Sequence, residues 1–250
     1  MPEIQKLDSF PKIVADCFIP LGRACRPAKW LKTHNLRYCS LPFDWFMNFS
    51  LEAVLSVLIN SVSSTFIEYR EEPEKAEKHR YITELKTGTV FMHDFPLEKE
   101  MKDYVSIFEK NIERRCERMR KILKNYRNIC FICNRNEDIS VFSDFISKML
   151  ELYPKLKINF VNIRHSKDSK VILYKVSKDS VIYDICMNDI HKNGCDKKNN
   201  PAFWLGNEDL WNKICFNFSL SKKIKNQLNK NTDIDFALEH HKSFGNSFFK

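Results

Sequence analysis

Residues 128–163 read NICFICNRNEDISVFSDFISKMLELYPKLKINFVNI, and this stretch indicates the fold class. Its two ends are short apolar runs of the kind found in buried strands, and its middle has apolar side chains at helical spacing. We predict a helix over residues 139–153 and strands over residues 128–134, 157–163, 170–176 and 180–187. Alternation of strand and helix is typical of βαβ units with parallel strands. We therefore expect an α/β fold with a mixed, partly parallel sheet that is flanked by helices.

The first half of the chain contains similar patterns. Residues 13–21 are strand-like and end at a turn marked by Pro20 and Gly22. A helix is expected to begin near Cys25, because Pro27 suits the first turn of a helix. Apolar spacing further along predicts two helices and a hairpin, at residues 51–62, 97–126 and 81–92.

These patterns contain no clear linker. We expect residues 1–220 to form a single α/β domain, and two tightly fused halves, 1–127 and 128–220, are the alternative. Residues 221–250 carry six Lys against three Asp or Glu and have weak periodicity. This segment is expected to be a basic, loosely packed C-terminal extension.

Composition excludes several classes of function. The 250 residues carry a net charge of +9, with 43% hydrophobic and 29% charged side chains, which is typical of a globular protein. With five glycines and no G-x-G-x-x-G or G-x-x-x-x-G-K-[ST] pattern, the common phosphate-binding loops are excluded. No apolar run approaches the ~18 residues of a membrane span, and no secretory signal is visible. We expect a cytoplasmic protein, and nucleic acid is not an expected partner, because the basic residues are not interleaved with aromatic ones.

The chain has nine cysteines. Without a secretory signal they are expected to be free thiols rather than disulfides. Cys130 and Cys133 have C-x-x-C spacing, but on a strand residues three apart point to opposite faces. We therefore expect neither a metal nor another cofactor.

Cys25 stands out because it lies between a strand end and a helix start. The free N–H groups and the positive dipole end of a helix favour a thiolate, and Arg23 and Arg26 add positive charge. This setting predicts a nucleophile with a lowered pKa. The alternative is a small buried thiol that fills the turn.

A cysteine nucleophile needs a base, and His93 is the candidate because it follows an apolar strand. Asp94 is adjacent but would point away from His93 if the strand continued. Asp44 lies in an aromatic, sheltered loop, where a carboxylate has to be paired or hydrogen-bonded. It is expected either to orient His93 or to have a structural role such as capping a helix.

A second candidate site follows the strand at 128–134. Arg135 lies between this strand and the next helix, a position where α/β proteins bind phosphates and carboxylates. The alternative is a polar loop in which Asp138 caps the helix. Arg23, Arg26 and Asp94 are further candidates for binding a ligand. A ligand that the arginines bind would be anionic.

Several motifs occur in an order that resembles a known family: residues 21–28 (LGRACRPA), 42–45 (PFDW), 93–95 (HDF), 113–118 (ERRCER) and 204–211 (WLGNEDLW). The family consists of bacterial and some viral proteins described as papain-like cysteine peptidases. The likeness covers about residues 17 to 217. Pro20 departs from the pattern, since family members usually have Ser there, and this affects the turn before Cys25.

The resemblance implies a papain-like arrangement in the N-terminal half, with Cys25 at a helix start as nucleophile, His93 as base and an acidic partner. The expected activity is that of a cysteine hydrolase or acyltransferase acting on an amide, ester or thioester, with the substrate unknown. The alternative is a non-catalytic binding or accessory protein for an anionic ligand such as a sugar nucleotide or a glycan.

Overall fold

The computed structural model describes residues 2–230. Within this range the strands are β1 (Glu3–Lys6), β2 (Ile13–Ala15), β3 (Cys17–Pro20), β4 (Phe46–Met47), β5 (Tyr69–Glu71), β6 (Ile82–Glu84), β7 (Val90–Phe91), β8 (Asn128–Cys133), β9 (Lys157–His165), β10 (Lys170–Ser177), β11 (Ser180–Met187) and β12 (Phe218–Leu220). The α-helices are α1 (Arg26–Thr33), α2 (Leu51–Ile59), α3 (Val62–Thr65), α4 (Met101–Asn125), α5 (Ile139–Leu152), α6 (Glu208–Cys215) and α7 (Lys222–Lys230).

The largest sheet has six strands in the order β1-β10-β11-β9-β8-β3. Strands β3, β8, β9 and β11 are parallel to one another, whereas β10 and β1 are antiparallel to their neighbours. The predicted mixed, partly parallel sheet is therefore confirmed. The carboxyl ends of β3, β8, β9 and β11 meet at one edge of this sheet, which we call the carboxyl edge.

The core forms where α5 packs on the centre of this sheet. Strand β8 lies between β3 and β9, and the rings of Phe131 on β8 and Phe145 on α5 are 5.5 Å apart. Phe142 stacks on Phe160 of β9 at 5.0 Å, and Met149 is fully buried. Both the central strand at 128–134 and the helix that covers it are confirmed.

A four-stranded antiparallel sheet, ordered β4-β7-β6-β5, lies elsewhere in the first half. The predicted hairpin is formed by β6 and β7. Its turn is held by the buried Glu84 carboxylate, which accepts from the N–H groups of Thr87 (2.7 Å) and Ile67 (3.1 Å).

The strand predicted over 13–21 is interrupted at Asp16. The Asp16 carboxylate accepts from the N–H groups of Arg127 (3.2 Å) and Asn128 (3.0 Å). At this point the chain changes sheets, because β2 pairs with β12 whereas β3 pairs with β8. The helix predicted over 51–62 is likewise divided, since Ser61 caps a new helix, α3.

Strand β3 precedes residue 127 and strand β8 follows it, and the two strands pair in the same sheet.

The extension predicted over 221–250 begins with α7, in which Ile224 is fully buried. Its remainder, residues 231–250, lies outside the described residues. Among the helices of residues 2–230, none is both long and apolar enough to cross a membrane.

Candidate active site

Cys25 lies at the carboxyl edge, in the turn between β3 and α1. The Leu21 N–H extends the pairing of β3 by donating to the Ile132 carbonyl (2.7 Å). Cys25 is the residue immediately before α1, its carbonyl accepts from the Lys29 N–H (3.0 Å), and the residue is partly exposed. The expected cysteine at a helix start is therefore present.

The turn leaves no room for a side chain at Gly22. A Cβ atom there would lie 2.5 Å from Asn134 Oδ1 and 2.8 Å from the Ala24 carbonyl oxygen. The glycine lets the end of β8 pack directly on the turn that carries Cys25. The position of Cys25 is thus fixed by the sheet beneath it.

The pKa of Cys25 differs from the expectation. Burial raises the pKa of this thiol above its ordinary value, and the Cys25 N–H and the Arg26 guanidinium lower it only in part. The predicted lowered pKa is therefore wrong for this conformation, because desolvation exceeds the helix and charge effects. Burial raises the pKa of Cys130 more strongly, so the two thiols still differ in the predicted direction.

His93 lies two residues beyond the end of β7. Its ring is 6.0 Å from the Trp45 ring in an edge-on contact and 6.4 Å from the ring of His79. Burial lowers the pKa of His93, and the charge of Asp94 raises it in part. A lowered pKa keeps the imidazole neutral near pH 7, which is the form that accepts a proton.

Asp94 is the carboxylate whose charge acts most strongly on His93, ahead of Glu77. Because β7 ends at Phe91, the strand alternation that would turn Asp94 away from His93 does not extend this far. Asp94 Oδ2 is buried without a hydrogen-bond partner in the described part of the chain, and Oδ1 is 3.9 Å from Arg115. Burial raises the pKa of Asp94, whereas the charge of Arg115 lowers it.

Asp44 is paired with Arg37 and not with His93. The residue is 1% exposed, and its Oδ2 accepts from Arg37 Nε (2.8 Å), Arg37 Nη2 and the Leu41 N–H (2.9 Å). These bonds close the loop that precedes β4. The structural role is therefore observed, and among the described residues Asp44 forms no hydrogen bond to His93.

The segment around β4 connects the Cys25 turn to the strand that leads to His93. The Asn48 N–H donates to the Arg23 carbonyl (3.0 Å), and Phe46 pairs with Phe91. Within residues 2–230, no hydrogen bond joins Cys25 Sγ to the His93 ring. Catalytic hydrogen bonds are often long in a free enzyme and tighten on substrate binding.

The predicted ligand-binding arginines have different environments. Arg135 is 1% exposed and donates to the carbonyls of Leu21 (2.7 Å) and Phe49 (2.8 Å) and to Glu137 (2.8 Å). Burial and these internal bonds give Arg135 a structural role. This corrects the expectation that Arg135 binds a ligand. The alternative for this loop is observed, since Asp138 caps α5 by accepting from the Ser140 N–H.

The other two arginines flank Cys25. Arg23 is exposed. Arg26 forms an ion pair with Asp189 and donates from Nε to the Trp204 carbonyl (2.5 Å), so its charge is compensated within the fold.

Sequence reasoning missed two residues next to the predicted ones, His79 beside His93 and Asp189 beside Arg26. Asp189 follows β11 at the carboxyl edge, and that position is the signal that sequence reasoning had available. His79 lies in a polar stretch, and an isolated bridge to Pro96 brings it to the site. Among the described residues, no group of three or more His, Cys, Asp or Glu is arranged to hold a metal ion.

These features define a class: a mixed α/β protein with a partly exposed cysteine at a helix start and a half-buried histidine beyond a strand of the four-stranded sheet. Residues 16–168 match the model of the family described as "Putative papain-like cysteine peptidase (DUF1796)". The match covers more than half of the chain, and the chain belongs to this family.

A protein of Acanthamoeba polyphaga mimivirus named "Uncharacterized protein R408" is similar to this chain. The two are 24% identical over 177 residues, which covers 61% of this chain and 79% of the viral protein. No solved structure matches the chain.

Proposed function

We propose that this chain is a cysteine-dependent hydrolase or acyltransferase that acts on an amide, ester or thioester. The observation that carries the proposal is the place of Cys25, which is partly exposed and immediately precedes α1 in a member of this family. A thiol at a helix N-terminus lies next to backbone N–H groups that have no partner within the helix.

In the first step, Cys25 Sγ attacks the carbonyl carbon of the substrate while the thiol proton passes to His93. The raised pKa of Cys25 keeps the thiol protonated at rest, so the reaction needs a base at the moment of attack. The lowered pKa of His93 supplies a neutral imidazole for this purpose. N–H groups of the first turn of α1 stabilise the oxyanion that forms.

In the second step, the oxyanion collapses and the bond to the leaving group breaks. His93 returns its proton to the departing amine, alcohol or thiol, which leaves an acyl thioester on Cys25. Attack by water then completes a hydrolysis, and attack by another nucleophile completes an acyl transfer. Either attack releases the acyl group and restores the Cys25 thiol.

Asp94 takes the role of the acidic partner in this proposal. Asp44 is bound to Arg37, whereas the charge of Asp94 already raises the pKa of His93. A carboxylate near the imidazole stabilises the imidazolium that forms during attack. The support for Asp94 is electrostatic, since its free oxygen forms no hydrogen bond in the described part of the chain.

The alternative, a non-catalytic protein that binds an anionic ligand, has less support. It depended on Arg23, Arg26 and Arg135. Arg135 is buried and Arg26 is paired with Asp189, which leaves Arg23 as the exposed cation of the three.

Turnover of a panel of activated esters, acyl thioesters and peptide amides tests the proposal, with intact-mass detection of the acyl adduct. We expect a transient acyl group on Cys25 and continued product release in the unmodified chain, and neither in Cys25→Ala. Cys195→Ala is the matched control, because Cys195 is an exposed thiol. Equal turnover by Cys25→Ala and the unmodified chain would contradict the proposal.

A further inference from the structure

The segment that follows β11, residues 188–211, contacts the first turn of α1. Asp189 lies just beyond β11, with its side chain 4% exposed, and pairs with Nη1 of Arg26, whose side chain is 17% exposed. Arg26 also donates from Nε to the Trp204 carbonyl (2.5 Å). The residue directly after Cys25 is therefore anchored at both ends of its guanidinium.

Asp189 is itself fixed by several groups. Its Oδ1 accepts from Trp211 Nε1 (2.8 Å) and from the Asn207 N–H (3.2 Å), and its N–H donates to His165 Nδ1 (3.2 Å). Gly206 has a φ of +71°, and a Cβ there would lie 2.2 Å from Asp189 Oδ1. The chain thus has a glycine where a side chain would displace this carboxylate.

The same segment also binds the body of α1. Trp30 Nε1 donates to the Leu205 carbonyl (2.9 Å), and the Trp30 ring stacks on that of Trp211 at 6.3 Å. This segment lies beyond residues 16–168, the part matched by the family model. The helix that carries Cys25 at its start is therefore held by a part of the chain outside that match.

We propose that Asp189 is a positioning residue that acts on Cys25 through Arg26, by holding the guanidinium in place and balancing its charge. The inference rests on the proposed function in one respect, that Cys25 is the reactive group. A cation within about 4–6 Å of a thiol favours the thiolate form, and a carboxylate that neutralises the cation weakens this effect. The Arg26 charge lowers the pKa of Cys25, and Asp189 opposes that charge.

Among the described residues, the titratable groups next to this pair are His165, at the end of β9, and His191, two residues beyond Asp189. Arg23 lies three residues before Arg26 in the turn. On the side of α6, Asp189 is contacted by the uncharged Trp211 Nε1 and Asn207 N–H. The charged residue there is Glu208, which follows Asn207 and lies 3.9 Å from His191 Nε2.

The pH dependence of Cys25 alkylation by iodoacetamide, mapped by mass spectrometry on the full chain, tests the proposal. Arg26→Gln should raise the midpoint, because the cation that favours the thiolate is removed. Asp189→Asn should lower the midpoint, because the Arg26 charge loses its counter-charge while Nε stays bound to Trp204. We expect each shift to be about 0.5–1 pH unit. The double variant should match Arg26→Gln alone.

Asp196→Asn is the matched control, since Asp196 is exposed and bonds the N–H of Lys198 and Asn199 Nδ2 in the same loop. Its midpoint should equal that of the unmodified chain. The proposal is overturned if Asp189→Asn leaves the midpoint unchanged, or lowers it equally in the Arg26→Gln background. It is also overturned if Cys130 becomes reactive in Asp189→Asn, since that result indicates general unfolding. Because the assay measures a thiol and not turnover, it can succeed where the proposed hydrolase fails.

Discussion

At the scale of single residues, Asp44 and Asp94 show how surroundings decide what a carboxylate does. Asp44 is bound by Arg37 and the Leu41 N–H. Each carboxylate has one buried oxygen without a hydrogen-bond partner among the described residues, but Asp94 has no such close arginine, and burial raises the pKa of Asp94. A carboxyl group with a raised folded-state pKa binds its proton more tightly when folded, so its contribution to stability is lost as the pH rises through that pKa.

We predict that the same Asp→Asn substitution has different effects on stability at the two positions. Asp44→Asn should lower the free energy of unfolding at pH 7 by about 1–3 kcal/mol, because Arg37 is left buried without its counter-charge. Asp94→Asn should cost little or be stabilising, because a buried charge is removed. Urea denaturation of both variants measures the difference, and equal losses would contradict the assignment.

The pH dependence supplies a second readout for the same pair. The unmodified chain should gain stability relative to Asp94→Asn as the pH falls through the raised pKa of Asp94, with the full gain present below about 3.9, the unfolded value. A relative loss in this range would show that Asp94 is stabilised as a carboxylate.

The residue scale also shows which parts of the Asp44 and Asp94 environments the sequence predicts. A strand that continued past Met92 would turn Asp94 away from His93, whereas β7 ends at Phe91. The aromatic loop around Asp44 predicts a sheltered carboxylate, and Asp44 is 1% exposed. Burial could be inferred from neighbouring sequence, but the partner Arg37 could not be separated from other cations.

At the scale of elements, the long segments with clear periodicity were predictable. Strands β8, β9 and β11 and helix α5 lie within two residues of the expected bounds, because their apolar side chains fill one core. Strands β1, β4, β5 and β12, each two to four residues long, were missed. Whether these short runs form strands depends on the strands they pair with, since so few residues have little strand preference of their own.

Helix α5 gives a direct test of the predicted core. Phe145 is 2% exposed and packs on Phe131. Phe145→Ala should lower the free energy of unfolding by about 3–5 kcal/mol, because it leaves a cavity under the central strand. Phe216→Ala is the control, since Phe216 is 78% exposed, and it should change stability by less than about 0.5 kcal/mol. A loss below about 1 kcal/mol for Phe145→Ala would mean that α5 packs differently.

At the scale of the whole molecule, the candidate site is assembled from distant parts of the chain. The Cys25 turn rests on the carboxyl edge, His93 follows a strand of the four-stranded sheet, and Asp189 lies 163 positions along the chain from its partner Arg26. The strand, turn and helix around Cys25 form a local pattern, so this residue could be found from sequence. Asp189 has no local pattern, because its importance comes from a long-range contact.

The central claim is that Cys25 is a nucleophile assisted by His93. Its most direct measurement is the rate of iodoacetamide labelling of Cys25 near pH 7, mapped by mass, in the unmodified chain and in His93→Ala. Cys130 and Cys133 are buried and serve as unreactive references, and the exposed Cys195 serves as the reference for an open thiol.

We predict that Cys25 is labelled well before Cys130 and Cys133, and that His93→Ala slows its labelling several-fold while the melting temperature and the Cys195 rate stay unchanged. Loss of the imidazole removes the group that takes the thiol proton during attack. A Cys25 that stays as inert as Cys130, or a labelling rate unchanged in His93→Ala, would contradict the account.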